Sequence, residues 1–473
     1  MINTETLTIA ATHAHLTNGD FSVKELAAAY ESTIEKKNPD INAVIEVYDD
    51  IAAQTKAAQQ RFSDKTATVL TGVPLAIKDN ILIAGKKVTS ASKILTDYVA
   101  PYTATATQRL ADQGAVFLAR ANMDEFAMGA STETSYYGVT KNPHDLSRVA
   151  GGTSGGSTAA VAMGGVLAAL GSDTGGSIRQ PASFCGVVGL KPTYGAVSRY
   201  GLMSMTSSLD QIGPITKTID DTEVLFDALT GKDPHDATSV DYEKVKQSRA
   251  AKTIGVPRAF LEKGIDPDVQ VLFEATLKKL ADEGYIIRDI DLPLLPYSVP
   301  TYYIIVPAEV SSNLARYDGM KYGLNVPGDN LLGDYLNTRT EGFGREVKRR
   351  IMIGTYVLSA GYYDAYYGKA QVVRAQLRQQ YIDAFSQVDV IALPTAPSPA
   401  FKIGEKSDDP IAMYLSDIFT AAANLAGICG VSVPMGTVVR DGVQLPVGFQ
   451  LQGPHFGEHR LFDIGRVIER VRK

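Results

Sequence analysis

The N-terminal part of the chain carries apolar residues at helical spacing. Ser22 and Glu25 form a capping-box pattern, and an amphipathic run continues from them to Lys37, so a helix is predicted here. A second helix is predicted over residues 50–62. The pattern then changes, because the short apolar run Val73–Ile77 is typical of a buried strand.

Helix and strand patterns alternate through the middle of the chain. A helix is predicted over residues 107–113, and strands are predicted over residues 115–119 and 166–170. Glycine, serine and threonine are frequent as far as Gly213, but apolar residues are interleaved with them, which distinguishes this region from a flexible linker. The alternation predicts an α/β fold in which helices pack on a sheet.

The C-terminal half has a more ordinary pattern. Residues 268–283 and 458–470 are predicted to be helical, residues 346–385 to form one or two long helices, and residues 390–393 to form a strand. We find no internal repeat and no linker composition. We therefore expect one domain over residues 1–473, although 473 residues would on average suggest two or three domains.

The composition is typical of a globular protein. Hydrophobic residues make up 45% and charged residues 21% of the chain, close to the usual averages. The net charge of −6 and the pI of about 5.6 argue against tight binding of nucleic acid by this chain alone, since phosphate recognition needs a concentrated basic surface. The basic cluster at residues 345–350 is interpreted as a solvated helix face, apart from one residue discussed below.

The sequence indicates neither a targeting signal nor a disulfide framework. Residues 1–16 lack a basic segment followed by an apolar run, so no secretory signal is expected. The weakly polar stretch 159–171 is far shorter than the ~20 residues of a membrane span. Cys185 and Cys429 are too few and too far apart for a disulfide framework and are expected to be buried. A cytoplasmic location is predicted, or an organelle matrix if a presequence has been removed.

Several catalytic motifs are missing from the sequence. It has no cysteine and histidine cluster with metal-ligand spacing and no nucleotide-binding glycine motif, so neither a metal nor a cofactor is expected in this chain. Gly152–Gly156 fits the pattern G-x-S-x-G, which would make Ser154 a nucleophile. That motif needs a preceding strand, whereas residues 142–148 are predicted to form a loop.

A second candidate serine follows a predicted strand and a glycine turn. Residues 171–181 present Ser177 directly after Gly175 and Gly176, and such a turn can aim several backbone N–H groups at an oxyanion. A structural turn with a capping serine would have the same sequence. A serine nucleophile needs a base. Lys78, which ends an apolar run, can be that base if burial lowers its pKa, although an isolated lysine is usually a surface residue.

The combination of these segments resembles the amidase signature family. The matching segments are Gly72–Asp79, Gly151–Ser157, Gly171–Pro181 and Phe184–Thr193. The resemblance implies an α/β fold with a large mixed twisted β-sheet that has helices on both faces, and a signature core at about residues 65–215. It also implies amide hydrolysis by a Ser–cis-Ser–Lys triad.

The resemblance assigns a role to each matching position. Lys78 would be the base, Ser177 the nucleophile, and residue 153 the hydroxyl that relays the proton between them, preceded by a cis peptide bond. The oxyanion hole would comprise the backbone N–H groups of Thr174, Gly175 and Gly176, together with that of Ser177. The sequence departs from the family at the middle position, where Thr153 replaces the usual serine. Threonine keeps the hydroxyl, but its methyl group restricts rotation.

Within this family the chain resembles the glutamine-hydrolysing A subunits of glutamyl-tRNA(Gln) amidotransferases. The supporting segments are Ala121–Gly129, Ser311–Gly319, Glu341–Arg350 and Gly361–Tyr367. The resemblance implies that glutamine is the substrate and that residues 295–473 confer specificity for it. Arg350 would bind the α-carboxylate, Asp417 the α-ammonium group, and Tyr302 would contribute a hydroxyl.

The resemblance also implies two partner subunits. Ammonia would pass through a channel to the B subunit, which uses ATP and Mg²⁺ to convert Glu-tRNA(Gln) to Gln-tRNA(Gln), or Asp-tRNA(Asn) to Asn-tRNA(Asn). The tRNA would bind mainly to the B subunit, and a small C subunit would lie between the other two. Two alternatives remain open: a stand-alone amidase that hydrolyses small amides, and a catalytically weakened scaffold subunit, which Thr153 suggests.

Overall fold

A computed structural model describes residues 2–262 and 264–472 of the chain. Thirteen strands lie within these residues. They are β1 (Val44–Val47), β2 (Pro74–Lys78), β3 (Val116–Ala121), β4 (Lys141–Asn142), β5 (Asp145–Val149), β6 (Ala168–Asp173), β7 (Val188–Lys191), β8 (Gln211–Thr216), β9 (Thr253–Val256), β10 (Ile286–Asp289), β11 (Val390–Pro394), β12 (Cys429–Arg440) and β13 (Val443–Gly453).

The same residues form seventeen α-helices. They are α1 (Ile9–Asn18), α2 (Val23–Ile41), α3 (Ile51–Ser63), α4 (Thr105–Asp112), α5 (Gly155–Ala162), α6 (Arg179–Cys185), α7 (Ile219–Leu229), α8 (Tyr242–Val245), α9 (Arg258–Leu261), α10 (Pro267–Asp282), α11 (Ser298–Asn313), α12 (Leu331–Gly342), α13 (Arg345–Val357), α14 (Lys369–Phe385), α15 (Pro410–Tyr414), α16 (Ala421–Ala426) and α17 (Glu458–Val471). None of them combines the length and the apolar character that a membrane-spanning helix requires.

Eleven strands form one mixed sheet, in the order β1-β3-β2-β6-β8-β7-β12-β13-β11-β9-β10. Strand β2 lies between β3 and β6 and is parallel to both. Because the carboxyl ends of parallel strands meet at one edge of a sheet, Lys78 at the end of β2 comes close to Ser172 and Asp173 at the end of β6. This register creates the polar site described below.

The sheet joins the two halves of the chain. Strand β7 from the signature core pairs with β12 from the C-terminal part, and β12 forms a long antiparallel pair with β13. An extensive core of buried apolar side chains extends along these strands, and a second apolar cluster packs α11, α14 and α16 together. The predicted α/β fold with a mixed sheet flanked by helices is confirmed.

Most predicted elements occur close to their expected positions. The capping box at Ser22 and Glu25 is formed, and its helix continues past Lys37 to Ile41. The pattern over residues 346–385 gives two helices, α13 and α14, separated by residues 358–368, the last five of which form a π-helical turn. Cys185 and Cys429 are buried as expected.

The loop predicted over residues 142–148 was wrong. This segment contributes to the hairpin of β4 and β5. Asn142 stabilises the hairpin, because its side-chain amide donates hydrogen bonds to the carbonyl groups of Val149 and Phe184. The polar residues Asp145 and Ser147 suggested a loop, but they lie on the solvent-facing part of the hairpin.

Candidate active site

The amine of Lys78 is buried among four oxygen atoms. Its Nζ atom lies 2.8 Å from Thr153 Oγ1 and 2.8 Å from Ser154 Oγ. It also lies 2.9 Å from Ser172 Oγ and 3.3 Å from the main-chain oxygen of Ser172. No carboxylate among the described residues forms an ion pair with Lys78. The amine is therefore surrounded by neutral acceptors.

Burial lowers the pKa of Lys78 to about 7, against the opposing negative charges of Asp124, Asp173 and Asp210. Desolvation penalises the ammonium form, and no adjacent carboxylate cancels that penalty. A large fraction of the lysine is consequently neutral near pH 7. This is the property that a general base needs at neutral pH.

A relay needs hydrogen bonds from Thr153 to both Lys78 and Ser177, and Thr153 forms one of the two. Its hydroxyl contacts Lys78, but within the part of the chain that the structure describes it makes no hydrogen bond to Ser177. The segments are held together through the backbone, since the N–H group of Ser154 donates to the carbonyl oxygen of Ser177 at 3.1 Å. A rotation of the Ser177 or Thr153 side chain would have to complete the relay.

The cis peptide bond expected before Thr153 is a wrong prediction for this structure, in which residues 2–262 and 264–472 contain only trans peptide bonds. Gly151 and Gly152 have φ angles of +90° and +49°, which are accessible to glycine but strained for other residues. The turn before Thr153 is thus made by two left-handed glycines. A Cβ atom on Gly152 would lie 2.4 Å from Pro181 Cδ, so this turn packs directly on α6.

The nucleophile loop connects β6 with α6 and is organised by one carboxylate. Asp173 accepts hydrogen bonds from the N–H group of Gly176 at 2.9 Å and from that of Ile178 at 3.1 Å. Its partner is the guanidinium of Arg179, 3.0 Å away and equally inaccessible to solvent. Although burial opposes it, Arg179 holds the pKa of Asp173 well below its usual range. The loop is therefore built around a permanently ionised carboxylate.

This arrangement changes the expected oxyanion hole. The N–H group of Gly176 donates to Asp173 and is not free for substrate in this conformation. The N–H groups of Thr174, Gly175 and Ser177 have no acceptor among the described residues. These three groups are the available donors. Ser177 itself is buried, with 8% of its surface exposed.

Tyr302 and Asp417 both lie against the glycines before Ser177. A Cβ atom on Gly175 would lie 2.6 Å from Cζ of Tyr302, and one on Gly176 would lie 3.2 Å from Oδ1 of Asp417. Larger residues at 175 or 176 would therefore displace these two side chains. The resemblance implied substrate binding by Tyr302 and Asp417, and both side chains lie against the loop that carries Ser177.

The carboxyl group of Asp417 has no hydrogen-bond partner among the side chains and backbone groups that the structure describes. Burial and the nearby negative charge of Asp173 raise its pKa to about 8, and Arg350 only partly opposes this. Such a group gains strongly from an approaching cation. It can therefore receive an ammonium group.

Arg350 lies on the buried side of α13. Its Nε atom donates to Glu346 at 2.8 Å, and its guanidinium lies over the rings of Tyr303 and Tyr414, 5.3 Å and 5.6 Å from their centroids. The two terminal nitrogens have no hydrogen-bond partner in the described chain. They form a free fork that can bind a carboxylate bidentately.

A cavity of about 250 Å³ opens beside Arg350. It is lined by residues of α13, the segment 406–414 and the turn that contains Glu125. Tyr303 and Tyr414 stack with a centroid distance of 3.7 Å next to the guanidinium. Neither Ser177 nor Asp417 contributes to the walls of this cavity. Arg350 therefore faces this cavity, whereas Asp417 lies against the loop that carries Ser177.

The structure also reveals polar residues that the sequence did not indicate. Ser172 contacts Lys78 directly, and Asp210 accepts a hydrogen bond from the hydroxyl of Thr174 at 2.7 Å. Ser154, the alternative nucleophile, is fully buried and its hydroxyl donates to the Ser172 carbonyl. Its partners are Lys78 and Ser172, and it has no histidine partner in the described chain. From the sequence, only the position of Ser154 next to Thr153 could have indicated its contacts with Lys78 and Ser172.

Comparison with known proteins gives a consistent result. The amidase family model matches residues 25–462. The A subunit of glutamyl-tRNA(Gln) amidotransferase from Acidobacterium capsulatum is 51% identical, over 93% of this chain and 94% of that protein. The protein of the same name from Desulfatibacillum aliphaticivorans is 49% identical, over 98% of this chain and 97% of that protein.

Comparison with solved structures gives the same result. The glutamyl-tRNA(Gln) amidotransferase A subunit from Thermotoga maritima has a TM-score of 0.80 and 42% identity, covering 99% of this chain and 96% of that chain. The peptide amidase of Stenotrophomonas maltophilia has a TM-score of 0.81 and 28% identity, with 99% and 97% coverage. With a family match over most of its length and relatives of this identity, the chain belongs to the amidase family.

Proposed function

We propose that the chain is the glutaminase subunit of a tRNA-dependent amidotransferase, active as glutaminyl-tRNA synthase (glutamine-hydrolysing) together with B and C subunits. The observation that supports this most directly is a pair of buried side chains whose polar atoms are not fully used within the described residues. Asp417 has a free carboxyl group, and Arg350 has a free guanidinium fork. A simple amide needs neither group, whereas an amino acid needs both. The relatives named as A subunits support the assignment.

The proposed chemistry begins with proton removal from Ser177. Thr153 passes its own hydroxyl proton to neutral Lys78 as it takes the proton of Ser177. The Ser177 oxygen then attacks the side-chain carbonyl carbon of glutamine. The N–H groups of Thr174, Gly175 and Ser177 are available to stabilise the oxyanion.

Collapse of this intermediate completes the cycle. The carbon–nitrogen bond breaks, the nitrogen takes the proton back from Lys78 through Thr153, and ammonia leaves. Water then attacks the glutamyl ester on Ser177 with the same base, releasing glutamate and regenerating the serine. In the proposed complex the ammonia moves to the B subunit, where ATP and Mg²⁺ activate Glu-tRNA(Gln), or Asp-tRNA(Asn), as its acceptor.

The experiment is ammonia transfer in a reconstituted complex. The chain is mixed with its B and C subunits, ATP, Mg²⁺ and Glu-tRNA(Gln), and Gln-tRNA formation is measured with either glutamine or ammonium as donor. Ser177→Ala is expected to abolish the glutamine-dependent product and to retain the ammonium-dependent product. If wild type works only with ammonium, the chain is a scaffold; if it binds neither subunit and cleaves small amides, it is a stand-alone amidase.

Substrate recognition is tested separately with Arg350→Met. This change removes the fork and keeps an apolar stem of similar length. The KM for glutamine is expected to rise strongly, because the α-carboxylate loses a bidentate partner. Hydrolysis of a primary amide without a carboxylate, such as butyramide, should change little. Equal losses on both amides would contradict the assignment of Arg350 to the α-carboxylate.

A further inference from the structure

Two serine hydroxyls other than those of the proposed relay contact Lys78. The one on Ser172 lies 2.9 Å from Lys78 Nζ, at the end of β6. It has a further neighbour, because the side-chain amide of Asn80 donates to Ser172 Oγ at 3.0 Å. Ser172 Oγ therefore connects the side chains of Asn80 and Lys78.

The hydrogen bonds around the amine limit which hydroxyl can give it a proton. A neutral lysine amine has two N–H donors and one lone pair. Ser154 donates its hydroxyl proton to the carbonyl of Ser172 at 3.0 Å, so this proton is already engaged. Ser172 Oγ accepts from Asn80 and, like the main-chain oxygen of Ser172 at 3.3 Å, lies within hydrogen-bond distance of the amine. Thr153 Oγ1 lies 2.8 Å from the amine and has no other hydrogen-bond partner among the described residues, so its proton can pass to the lone pair of Lys78.

We propose that Ser172, held by Asn80, is a positioning residue that fixes the amine of Lys78 beside Thr153. This inference rests on the proposed function, because it concerns the direction of proton transfer from Ser177. It gives the buried serine at the end of β6 a purpose other than packing. It also explains why the relay partner is Thr153 and not Ser154, although both hydroxyls lie equally close to the amine.

The same geometry affects the protonated amine. An ammonium group has three N–H donors, and Thr153, Ser154 and Ser172 provide three hydroxyl acceptors. Hydrogen bonds to the charged form favour that form. Removing the Ser172 hydroxyl should therefore make the ammonium form less stable. Lys78 would then gain its proton at a lower pH.

The other charged groups around Lys78 remain in place when Ser172 is changed. Three carboxylates act on the amine through space: Asp124, Asp173 and Asp210. The cations of the neighbouring elements are engaged in their own ion pairs, Arg120 with Asp79 and Arg179 with Asp173. Burial raises the pKa of Asp210 to about 6, but this group is common to wild type and variants. A difference in the titration of Lys78 between wild type and a Ser172 variant therefore comes from the Ser172 hydroxyl.

The test compares Ser172→Ala, Ser172→Thr and Ser157→Ala in glutamine hydrolysis by the assembled complex. Ser157 is the matched control, because it is equally buried and its hydroxyl donates to the carbonyl of Leu170 in β6 without contacting Lys78. Ser172→Ala is expected to lower kcat about 10- to 100-fold, within the range for impaired general-base catalysis. KM should be unchanged, and the acid limb of kcat should move to lower pH. Ser172→Thr, which keeps a hydroxyl, should restore kcat, and Ser157→Ala should match wild type.

A second measurement separates this inference from the proposed function. In chain labelled with ¹³C at lysine Cε, the Lys78 signal is assigned by its loss in Lys78→Arg and is then titrated. A lower midpoint in Ser172→Ala supports the positioning of Lys78 by Ser172 even if glutamine proves not to be the substrate. An unchanged midpoint together with unchanged kcat overturns it. Equal losses in Ser172→Ala and Ser157→Ala also overturn it, because packing alone would explain them.

Discussion

A lysine side chain can act as a base near neutrality only where its ammonium form has lost the solvation of water. Lys78 meets this condition because it ends a strand whose five residues are all buried. Its neighbours are three hydroxyl groups and one main-chain oxygen, which accept hydrogen bonds without supplying a full negative charge. A carboxylate in contact with the amine would raise its pKa and abolish the base.

The first prediction concerns pH. Burial lowers the pKa of Lys78 to about 7, so the neutral base is the main form above this pH and is lost below it. The kcat for glutamine is therefore expected to fall as the pH is lowered through about 7. It is measured as ammonia release at saturating glutamine, where bound substrate keeps Asp417 ionised. A kcat that does not change over this range would contradict the assignment of Lys78 as the base.

The second prediction concerns Thr153. Thr153→Ser keeps the hydroxyl that contacts Lys78 and should retain activity. Thr153→Ala removes it and should lower kcat about 10²- to 10⁴-fold, the usual contribution of a positioned proton-transfer group. Both variants are assayed for glutamine hydrolysis, with thermal unfolding as a control for folding. Full activity in Thr153→Ala would exclude the relay.

At the scale of secondary structure, the orientation of α13 decides where Arg350 lies. The helix begins after Gly344, whose N–H group donates to Glu125 Oε2 at 2.9 Å. Glu125 is also bonded by the hydroxyl of Ser92. A carboxyl group at the start of a helix can accept a hydrogen bond from a free N–H group there. Glu125 thus links the signature core to the helix that carries Arg350.

The third prediction follows from this link. Glu125→Ala should raise the KM for glutamine about tenfold, corresponding to one lost hydrogen bond of ~1.4 kcal/mol, and should change kcat less. Burial, opposed by the Ser92 hydrogen bond, raises the pKa of Glu125 to about 7, so the neutral amide of Glu125→Gln should be close to wild type. The control is Glu341→Ala, since Glu341 is an exposed residue of α12 that forms an ion pair with Lys93 at 3.5 Å. A tenfold rise of the KM for glutamine in Glu341→Ala would contradict the role assigned to Glu125.

The elements most easily predicted from sequence were those with a local signal. The capping box of α2 and the apolar run of β2 both formed near their predicted positions. The hairpin at 141–149 was missed because its stability comes from Asn142, which bonds to the distant carbonyl of Phe184. Similarly, Ser172 contacts Lys78 only because β2 and β6 are parallel neighbours, and periodicity along a single strand contains no information about its neighbours.

At the scale of the whole molecule, one buried arginine joins the two halves of the chain. Arg179 bonds to Asp173 in the nucleophile loop, and it also donates to the Thr420 carbonyl at 3.0 Å and to Gln450 Oε1 at 2.7 Å. A further bond of 2.6 Å reaches Asn424 Oδ1. The C-terminal part, which carries Asp417, is thereby fixed relative to Ser177. The distance between the recognition groups and the nucleophile depends on this contact.

The last prediction is that Arg179→Met destabilises the fold and inactivates the enzyme together. Removing one partner of a buried ion pair costs about 3–5 kcal/mol, because the remaining charge stays uncompensated; here that charge is Asp173. The matched control is Arg249→Met, since the Arg249 side chain is 47% exposed and also bonds to two carboxylates. Its loss should cost at most ~1 kcal/mol. The change in the free energy of unfolding of each variant is obtained from its urea unfolding midpoint at constant m value. Equal midpoints in the two variants would mean that the Asp173 carboxylate finds other compensation, and the two halves would then have to be held in register by the sheet alone.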